Sequence, residues 1–436
     1  MIIRFSKYYT RIYFQQLSMR YPDFDNIPVN PDWGFENVRS VEQGTHGYHR
    51  YPAKFLPNVV KKLIDDFAIK NAIIADPFAG CGTTLVEAKN HGYESCGVDI
   101  NPVATLITNV KITPIEPNLL NEYFSSLTKR FDSFVEDEFV NLEKHDRIDY
   151  WFRPQEKHQI AFLYQEILKI GNNAIKDFFL VSLSHILKSS SRWLQSSTKP
   201  QIDKNKKIVS PFDSFQKHTK MMMQKNEEFF LHLKSNDRLN TFCEIQLGDA
   251  RNTGWADESV GTIITSPPYV TSYEYADIHQ LTGYWFDYFS DLKDFRQRFI
   301  GTSYSNKEKQ KVSSGLGQKI VNDLEKKSSK ISKDVANYFN DMELVAKEMY
   351  RVLQPKGIAC VVIGNTKVKD VDIKSAEVFW DLLRHAGFKK KDVIKRSIPH
   401  KLMPTIRNTK NGKFAKVTDP DSKKVYPNEY IIIVKK

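Results

Sequence analysis

Ser266 stands in the stretch Thr265-Ser266-Pro267-Pro268-Tyr269, directly after an apolar run containing Val260, Ile263 and Ile264. Two consecutive prolines end such a run abruptly, because neither donates to a ladder and both fix φ. The resulting loop offers one hydroxyl, carbonyls whose directions Pro267 and Pro268 restrict, and the ring of Tyr269. Those groups suit a flat ring carrying an exocyclic amine, whose N–H bonds need acceptors and whose face stacks on an aromatic side chain. An ordinary proline-rich turn has the same composition, so the stretch gains its meaning from a second motif upstream.

That motif is Asp76-Pro77-Phe78-Ala79-Gly80-Cys81-Gly82-Thr83-Thr84. Gly80 and Gly82 let a backbone approach a ligand closely, and the helix expected after them has free N–H groups at its start. The third glycine of the dinucleotide fingerprint is missing, and no Walker-type Lys-Ser/Thr follows, which counts against a nucleoside triphosphate. Asp99 lies 17 residues beyond Gly82, at the end of Ser95-Cys96-Gly97-Val98. An acid at that place suits a pair of ribose hydroxyls. The set points to an adenosine-containing cofactor.

The elements that must position these residues follow from periodicity. Ala72-Ile73-Ile74-Ala75 predicts a buried strand, Leu85, Val86 and Ala88 begin a helix, and Ser95–Asp99 predicts a second strand. Strand, glycine turn, helix, strand and acid make one βαβ unit. From about 114 to 240 the pattern turns helical, as in Ile160-Phe162-Leu163-Ile167 and Phe178-Phe179-Val181-Leu183, and then becomes Lys- and Ser-rich near Ser189–Lys207. Alternation resumes at Phe242–Leu247, ending in Gly248-Asp249-Ala250-Arg251, and runs on through Ile358–Ile363 to a last strand, Tyr430–Val434. Residues 290 to 334 are polar and Lys/Ser-rich and predict a mobile surface segment or DNA-facing loop. Near the start, Phe5, Tyr8, Ile12 and Leu17 share one helical face before Pro22, Pro28 and Pro31 break the pattern.

Composition narrows the class. The 436 residues, 41% hydrophobic, suffice for a core domain plus a large insertion. Sixty-four Lys and Arg against 52 Asp and Glu give +12, which favours a polyanionic partner. The four cysteines form no CxxC pair and no zinc-type cluster with histidine, so neither a metal nor a structural disulfide is expected. No run is apolar enough to span a membrane, and MIIRFSKYYTRIYFQQLS does not resemble a signal peptide. A cytoplasmic protein is the expectation.

Taken together, the motifs resemble those of the S-adenosylmethionine-dependent amino-methyltransferases of DNA, in particular the N4-cytosine group of restriction–modification type. DPFAGCGTT is similar to their FxGxG cofactor loop, GVDINP to the ribose-binding acid, GDAR to the adenine-contacting segment, and TSPPY to the catalytic tetrad. HRYPAKFLP is similar to the segment that precedes the cofactor loop. The resemblance covers about 45–111 and 241–436. It implies an α/β class I (Rossmann-like) methyltransferase fold, with a mixed, mostly parallel seven-stranded sheet and an inserted helical subdomain. The corresponding division is an N-terminal extension (1–40), a first core part (41–113), the insertion (114–240) and a second core part (241–436).

By that resemblance S-adenosyl-L-methionine is the cofactor. Asp76, Phe78, Gly80, Gly82 and Thr83 cradle its methionyl part, with Tyr51 and Lys54 from the preceding segment. Asp99 holds the ribose, Ile100 lies against the adenine, Asp249 accepts from the adenine amine, and Ala250 offers a backbone contact. Ser266 and the Pro267 carbonyl accept the two N–H bonds of the target amine, Pro268 stiffens the loop, and Tyr269 stacks on the flipped base. Tyr273, Tyr275 and His279 are further candidates for the base pocket. Cytosine C5 chemistry is disfavoured, since no cysteine follows a proline.

Double-stranded DNA is the implied substrate and a cognate restriction endonuclease the implied partner. Serine at the tetrad's first position tilts the base to cytosine N4. Adenine N6, an RNA amine, and an inactive nucleic-acid-binding protein remain as alternatives. For reading the target, residues 114–240 compete with the Lys-rich 305–333 and with a basic stretch containing Lys389, Lys390, Lys391, Lys395, Arg396 and Arg407.

Overall fold

The computed structural model describes residues 24–36, 43–136, 145–270, 274–398 and 428–436, with 406–408, 418 and 422–424. Phe5, Tyr8, Ile12, Leu17 and Tyr273 lie outside these residues. The strands are β1 (Ile74–Asp76), β2 (Ser95–Asp99), β3 (Cys243–Leu247), β4 (Val260–Thr265), β5 (Leu353–Ile363), β6 (Thr366–Val368), β7 (Val371–Ile373), β8 (Lys389–Ser397), β9 (Ile406–Asn408), β10 (Ser422–Lys424) and β11 (Asn428–Lys435). Seven of them form one sheet in the order β3-β2-β1-β4-β5-β11-β8. The pairings from β3 to β5 are parallel, while β11 runs antiparallel to both β5 and β8. The mixed, mostly parallel sheet of seven strands expected from the sequence is present.

Strand β4 is buried at every position and pairs with β1 on one side and β5 on the other. A strand covered on both faces reads as continuous Val and Ile rather than as alternation. The helices Thr83–Asn90 and Pro102–Ile112 follow β1 and β2. The second is capped by Asn101, whose side chain accepts from the Val103 N–H. Between β2 and β3 come the helices Pro117–Lys129, Pro154–Leu168, Asn173–Leu187 and Pro211–Ser235. They share an apolar cluster in which Ile160, Leu163, Phe178, Phe179 and Phe215 meet Leu106 and Ile107 of the helix after β2. The helical segment thus grows from the face of the sheet rather than hanging off it.

Two expectations are corrected. Residues 290–334 are not a surface loop: the helices Leu292–Gln297, Gly315–Glu325 and Ser329–Val352 run through this region. Ile320, Val321, Leu324 and Val335 are buried in the main core. The apolar residues recur at helical spacing among exposed Lys and Ser, which masks them in a compositional reading. Within the basic stretch, Arg396 is 2% exposed on the edge strand β8 (Lys389–Ser397) and paired with Glu429, so it is withdrawn as a residue that reads DNA, whereas Lys389, Lys390 and Lys391 are exposed. The first four residues of β8 are exposed while Val393 and Ile394 are buried, and lysines on an edge strand block pairing with another chain.

Gly82 shows how tightly the turn after β1 is packed. Its φ of +77° is left-handed, and a Cβ there would lie 2.6 Å from Thr108 Cγ2. Gly82→Ala is expected to destabilise the protein by at least about 1–2 kcal/mol from backbone strain, with the steric overlap in addition. A shift in urea-unfolding midpoint measures this.

Candidate active site

The strand order reverses between β1 and β4, and open α/β sheets hold ligands at the carboxyl ends of such strands. A cleft opens there. Its walls come from the loop after β1 (Asp76, Pro77, Phe78, Ala79, Gly80, Cys81, Thr83), from β2 (Asp99, Ile100) and from the turn after β3 (Asp249, Ala250). The loop after β4 contributes Ser266 and Pro268, and Tyr51, Ala53, Lys54 and Phe55 close one side. Glu274, Tyr275, Phe299, Ile300 and Thr302 complete the lining.

The glycine turn is held in place by the two acids. Gly80 adopts φ +51°, and its N–H donates to Asp99 Oδ2 at 2.8 Å. The Asn101 N–H donates to Oδ1 of the same carboxylate at 2.9 Å. Burial pushes the Asp99 carboxyl up to about 6, against the opposing pull of these backbone N–H groups. Asp76, 2% exposed, accepts from the Phe78 N–H at 3.0 Å and from the Thr265 hydroxyl at 2.6 Å. Burial raises it to about 6 as well, again opposed by its hydrogen bonds.

On the opposite wall, the Ser266 hydroxyl donates to the Val362 carbonyl at 3.1 Å. With its proton committed there, the oxygen keeps lone pairs to act as an acceptor. Tyr51 is almost fully buried; its ring lies 6.0 Å from that of Tyr275 in a stacked arrangement, with His279 at 5.1 Å. A Cβ on Gly80 would come within 3.6 Å of the Tyr51 ring, so the glycine keeps this corner open.

A protein-family model described as DNA methylase matches residues 4–109 and 260–436. The chain belongs to this DNA methylase family. It is similar to the Type II methyltransferase M.MvaI of Kocuria varians, with 26% identity over 405 residues, 87% of this chain and 89% of that protein. It is also similar to the Type II methyltransferase M.MjaII of Methanocaldococcus jannaschii, with 23% identity over 414 residues, 72% and 76% of the two chains. Among solved structures, a SAM-dependent methyltransferase of Methanosarcina mazei aligns over 89% of this chain and 98% of its own, at 9% identity and TM-score 0.30. The methylase model leaves out 110–259, which contains the helices Pro117–Lys129, Pro154–Leu168, Asn173–Leu187 and Pro211–Ser235.

Of the residues singled out in the methylase sequence, Tyr51, Lys54, Asp76, Phe78, Gly80, Thr83, Asp99, Ile100, Asp249, Ala250, Ser266 and Pro268 all line the one cleft. Gly82, Pro267 and Tyr269 do not. Gly82 turns the chain behind the wall. The Tyr269 ring lies against Gly364, where a Cβ would come within 2.8 Å of it, and its hydroxyl donates to Glu429 Oε2 at 2.8 Å. Asp249 faces the cleft while its carboxylate is bonded to Arg251, Nε to Oδ1 at 2.9 Å and Nη2 to Oδ2 at 2.6 Å. Tyr275 joins the lining, and His279 sits behind it on Tyr51, with Nδ1 2.8 Å from Asn101 Nδ2.

The groups that brace the methylase's Pro-Pro loop come from distant parts of the chain. Tyr338, from the helix Ser329–Val352, donates its hydroxyl to the Pro268 carbonyl at 2.9 Å. Glu429 of β11 accepts from Tyr269 and pairs with Arg396 of β8, whose Nε donates to the Trp33 carbonyl at 2.8 Å. Arg396 is 2% exposed and Glu429 9%. These residues lie 70 to 160 positions from the loop they hold, and nothing local marks them. Glu274, just past the Pro-Pro loop, and Phe299, Ile300 and Thr302 also line the cleft, and no motif marks them.

Removing one partner from this buried pair leaves the other charged and unpaired. Glu429→Ala should therefore cost about 3–5 kcal/mol, and Arg396→Met with Glu429→Leu should recover much of that loss, both read by urea unfolding. The two raised carboxyls give a pH signature. A folded-state value above the unfolded one favours folding most below about pH 4, and that contribution is lost as the pH rises through 6. Asp99→Asn removes one such group, so the stability difference, wild type minus variant, should fall between pH 4 and 6 in unfolding curves taken at half-unit steps.

Proposed function

We propose that this chain transfers a methyl group from S-adenosyl-L-methionine to the N4 amine of a cytosine flipped out of duplex DNA, as the modification enzyme of a restriction–modification system. The observation that carries the reading is that Ser266, its hydroxyl proton directed to Val362, shares one cleft with the glycine turn and Asp99.

The lining fits the cofactor. Phe78, Ile100, Ala250 and Ile300 give apolar surface for a planar ring, and the half-buried Asp99 carboxylate suits ribose hydroxyls. Gly80 leaves the space a side chain would fill beside Tyr51. When bound, S-adenosylmethionine supplies an electrophilic methyl group on a sulfonium. Asp76 and Asp99 hold negative charge in the cleft above pH 6.

For the base, the difficulty is that the lone pair of cytosine N4 is delocalised into the ring. Ser266 Oγ accepts one of its N–H bonds and, by the family pattern, the carbonyl of Pro267, itself outside the cleft lining, accepts the other, which favours a pyramidal nitrogen with its lone pair free and aimed. The loop stays rigid while doing so, because two prolines fix its φ angles and Tyr338 bonds the Pro268 carbonyl. No covalent intermediate on the protein is required. Serine at this position, in the family pattern, goes with cytosine N4, where aspartate goes with adenine.

Nucleoside mass spectrometry of DNA incubated with the protein and S-adenosylmethionine should show N4-methylcytosine. N6-methyladenine would overturn the base assignment, and product formed on RNA alone would overturn the substrate. Ser266→Ala should lower kcat by about 10²–10³-fold, the size expected when one preorganised hydrogen-bond partner is lost. Cofactor affinity, measured by calorimetry, should stay nearly unchanged.

A further inference from the structure

Residues 188–209 hold six cations, Lys188, Arg192, Lys199, Lys204, Lys206 and Lys207, and one acid, Asp203. This short stretch therefore supplies +5 of the chain's +12. Its centre is a narrow hairpin: Trp193 bridges Ile202 antiparallel, the Leu194 N–H donates to the Gln201 carbonyl at 2.8 Å, and the Asp203 N–H donates to the Arg192 carbonyl at 2.8 Å.

The hairpin is anchored and stiff. Trp193 is buried and stacks on Trp151 at 5.1 Å, and the Arg192 N–H donates to the Trp151 carbonyl at 2.8 Å. At its base, Lys206 Nζ donates to the carbonyls of Lys188 and Trp193, each at 2.7 Å, and Lys188 Nζ donates to the Ser197 carbonyl at 2.8 Å. These two ammonium groups are held by carbonyls rather than by carboxylates. Burial, and then the neighbouring Lys188 charge, bring Lys206 down to about 8; burial and Arg50 lower Lys188. The Arg50 N–H donates to His185 Nδ1 at 3.4 Å, and Arg50 immediately precedes Tyr51 in the cleft wall. The cationic base of the hairpin therefore adjoins the cleft.

Six cations crowded around a single acid are costly unless a polyanion is to cover them. The exposed residues from 192 to 207 are Gln195, Ser196, Lys199, Pro200, Gln201, Lys204, Asn205 and Lys207, and all but the proline are types that bond phosphates, sugars and base edges. A two-stranded ribbon also has the width of the DNA major groove. We propose that the hairpin Arg192–Asp203 and the lysines at its tip and base form the surface that grips duplex DNA beside the cleft. This rests on the assignment of duplex DNA as substrate.

The test compares the full chain with the variant Lys199→Gln/Lys204→Gln/Lys207→Gln, using fluorescence anisotropy on a labelled 30-base-pair duplex of random sequence across a salt series. Each phosphate contact contributes about 0.9 to the slope of log K against log salt, so the variant's slope should be shallower by about 2–3. A control variant, Lys326→Gln/Lys327→Gln/Lys330→Gln, removes the same charge from the other lysine-rich segment and should leave the slope near wild type. Unchanged S-adenosylmethionine affinity in both variants verifies folding, and the single charge reversal Lys199→Glu offers a milder second probe. Wild-type slope in the hairpin variant, or the loss appearing in the control instead, overturns the surface while leaving the methylase reading intact. Tighter binding to duplex RNA than to DNA, or no DNA binding or methylation by wild type, overturns both.

Discussion

The Thr265 hydroxyl and the Asp76 carboxylate meet at 2.6 Å at the adjoining carboxyl ends of β4 and β1, and both side chains are buried. Asp76 opens the glycine turn, and Thr265 opens the Pro-Pro loop. One bond therefore sets the distance between the half of the cleft suited to a cofactor and the half suited to a base. Thr84 adds a second tie, its hydroxyl donating to the Ile264 carbonyl at 3.2 Å. A reaction between two bound molecules needs their reacting atoms held within a few tenths of an ångström, and this cross-link lies where such precision is set.

The same region carries unfavourable electrostatics. The buried Asp76 and the half-buried Asp99 lie near one another, and each carboxyl is raised to about 6 by its surroundings. Backbone N–H groups and hydroxyls offset part of that cost without neutralising the charge. Ala53, at φ +53°, adds a non-glycine residue in left-handed backbone to the wall of the cleft. Strain and unfavourable charge gather here, as they do where a site is shaped for a ligand rather than for the fold alone.

Much of this was legible in the sequence, because the candidate site residues sit at strand ends and turn chemistry is local. The prolines after β4, the glycines after β1 and the acid after β2 each follow an apolar run, and the structure brings their loops together. What remained hidden was non-local. Tyr338 and Glu429 brace the Pro-Pro loop from distant parts of the chain, and a tyrosine on an amphipathic helix looks like any other. The helices within 290–334 were masked by lysine and serine on their outer faces, and β8 by the lysines that protect an edge. Tyr269 shows a different limit: the motif identifies the residue, but the space beneath its ring depends on Gly364 at the end of β5.

Strand β11 enters the sheet between β5 and β8, antiparallel to both, and it brings Glu429. Every other strand of that sheet precedes it in the chain. A polypeptide cut short before residue 428 would still contain β1 to β5, the glycine turn and Asp99. It would lack the carboxylate that holds Tyr269 and would leave Arg396 without its counter-ion. Such a fragment keeps the parts suited to gripping a cofactor but not the brace behind the loop suited to a base, so the order of synthesis itself withholds a braced Pro-Pro loop from an incomplete molecule.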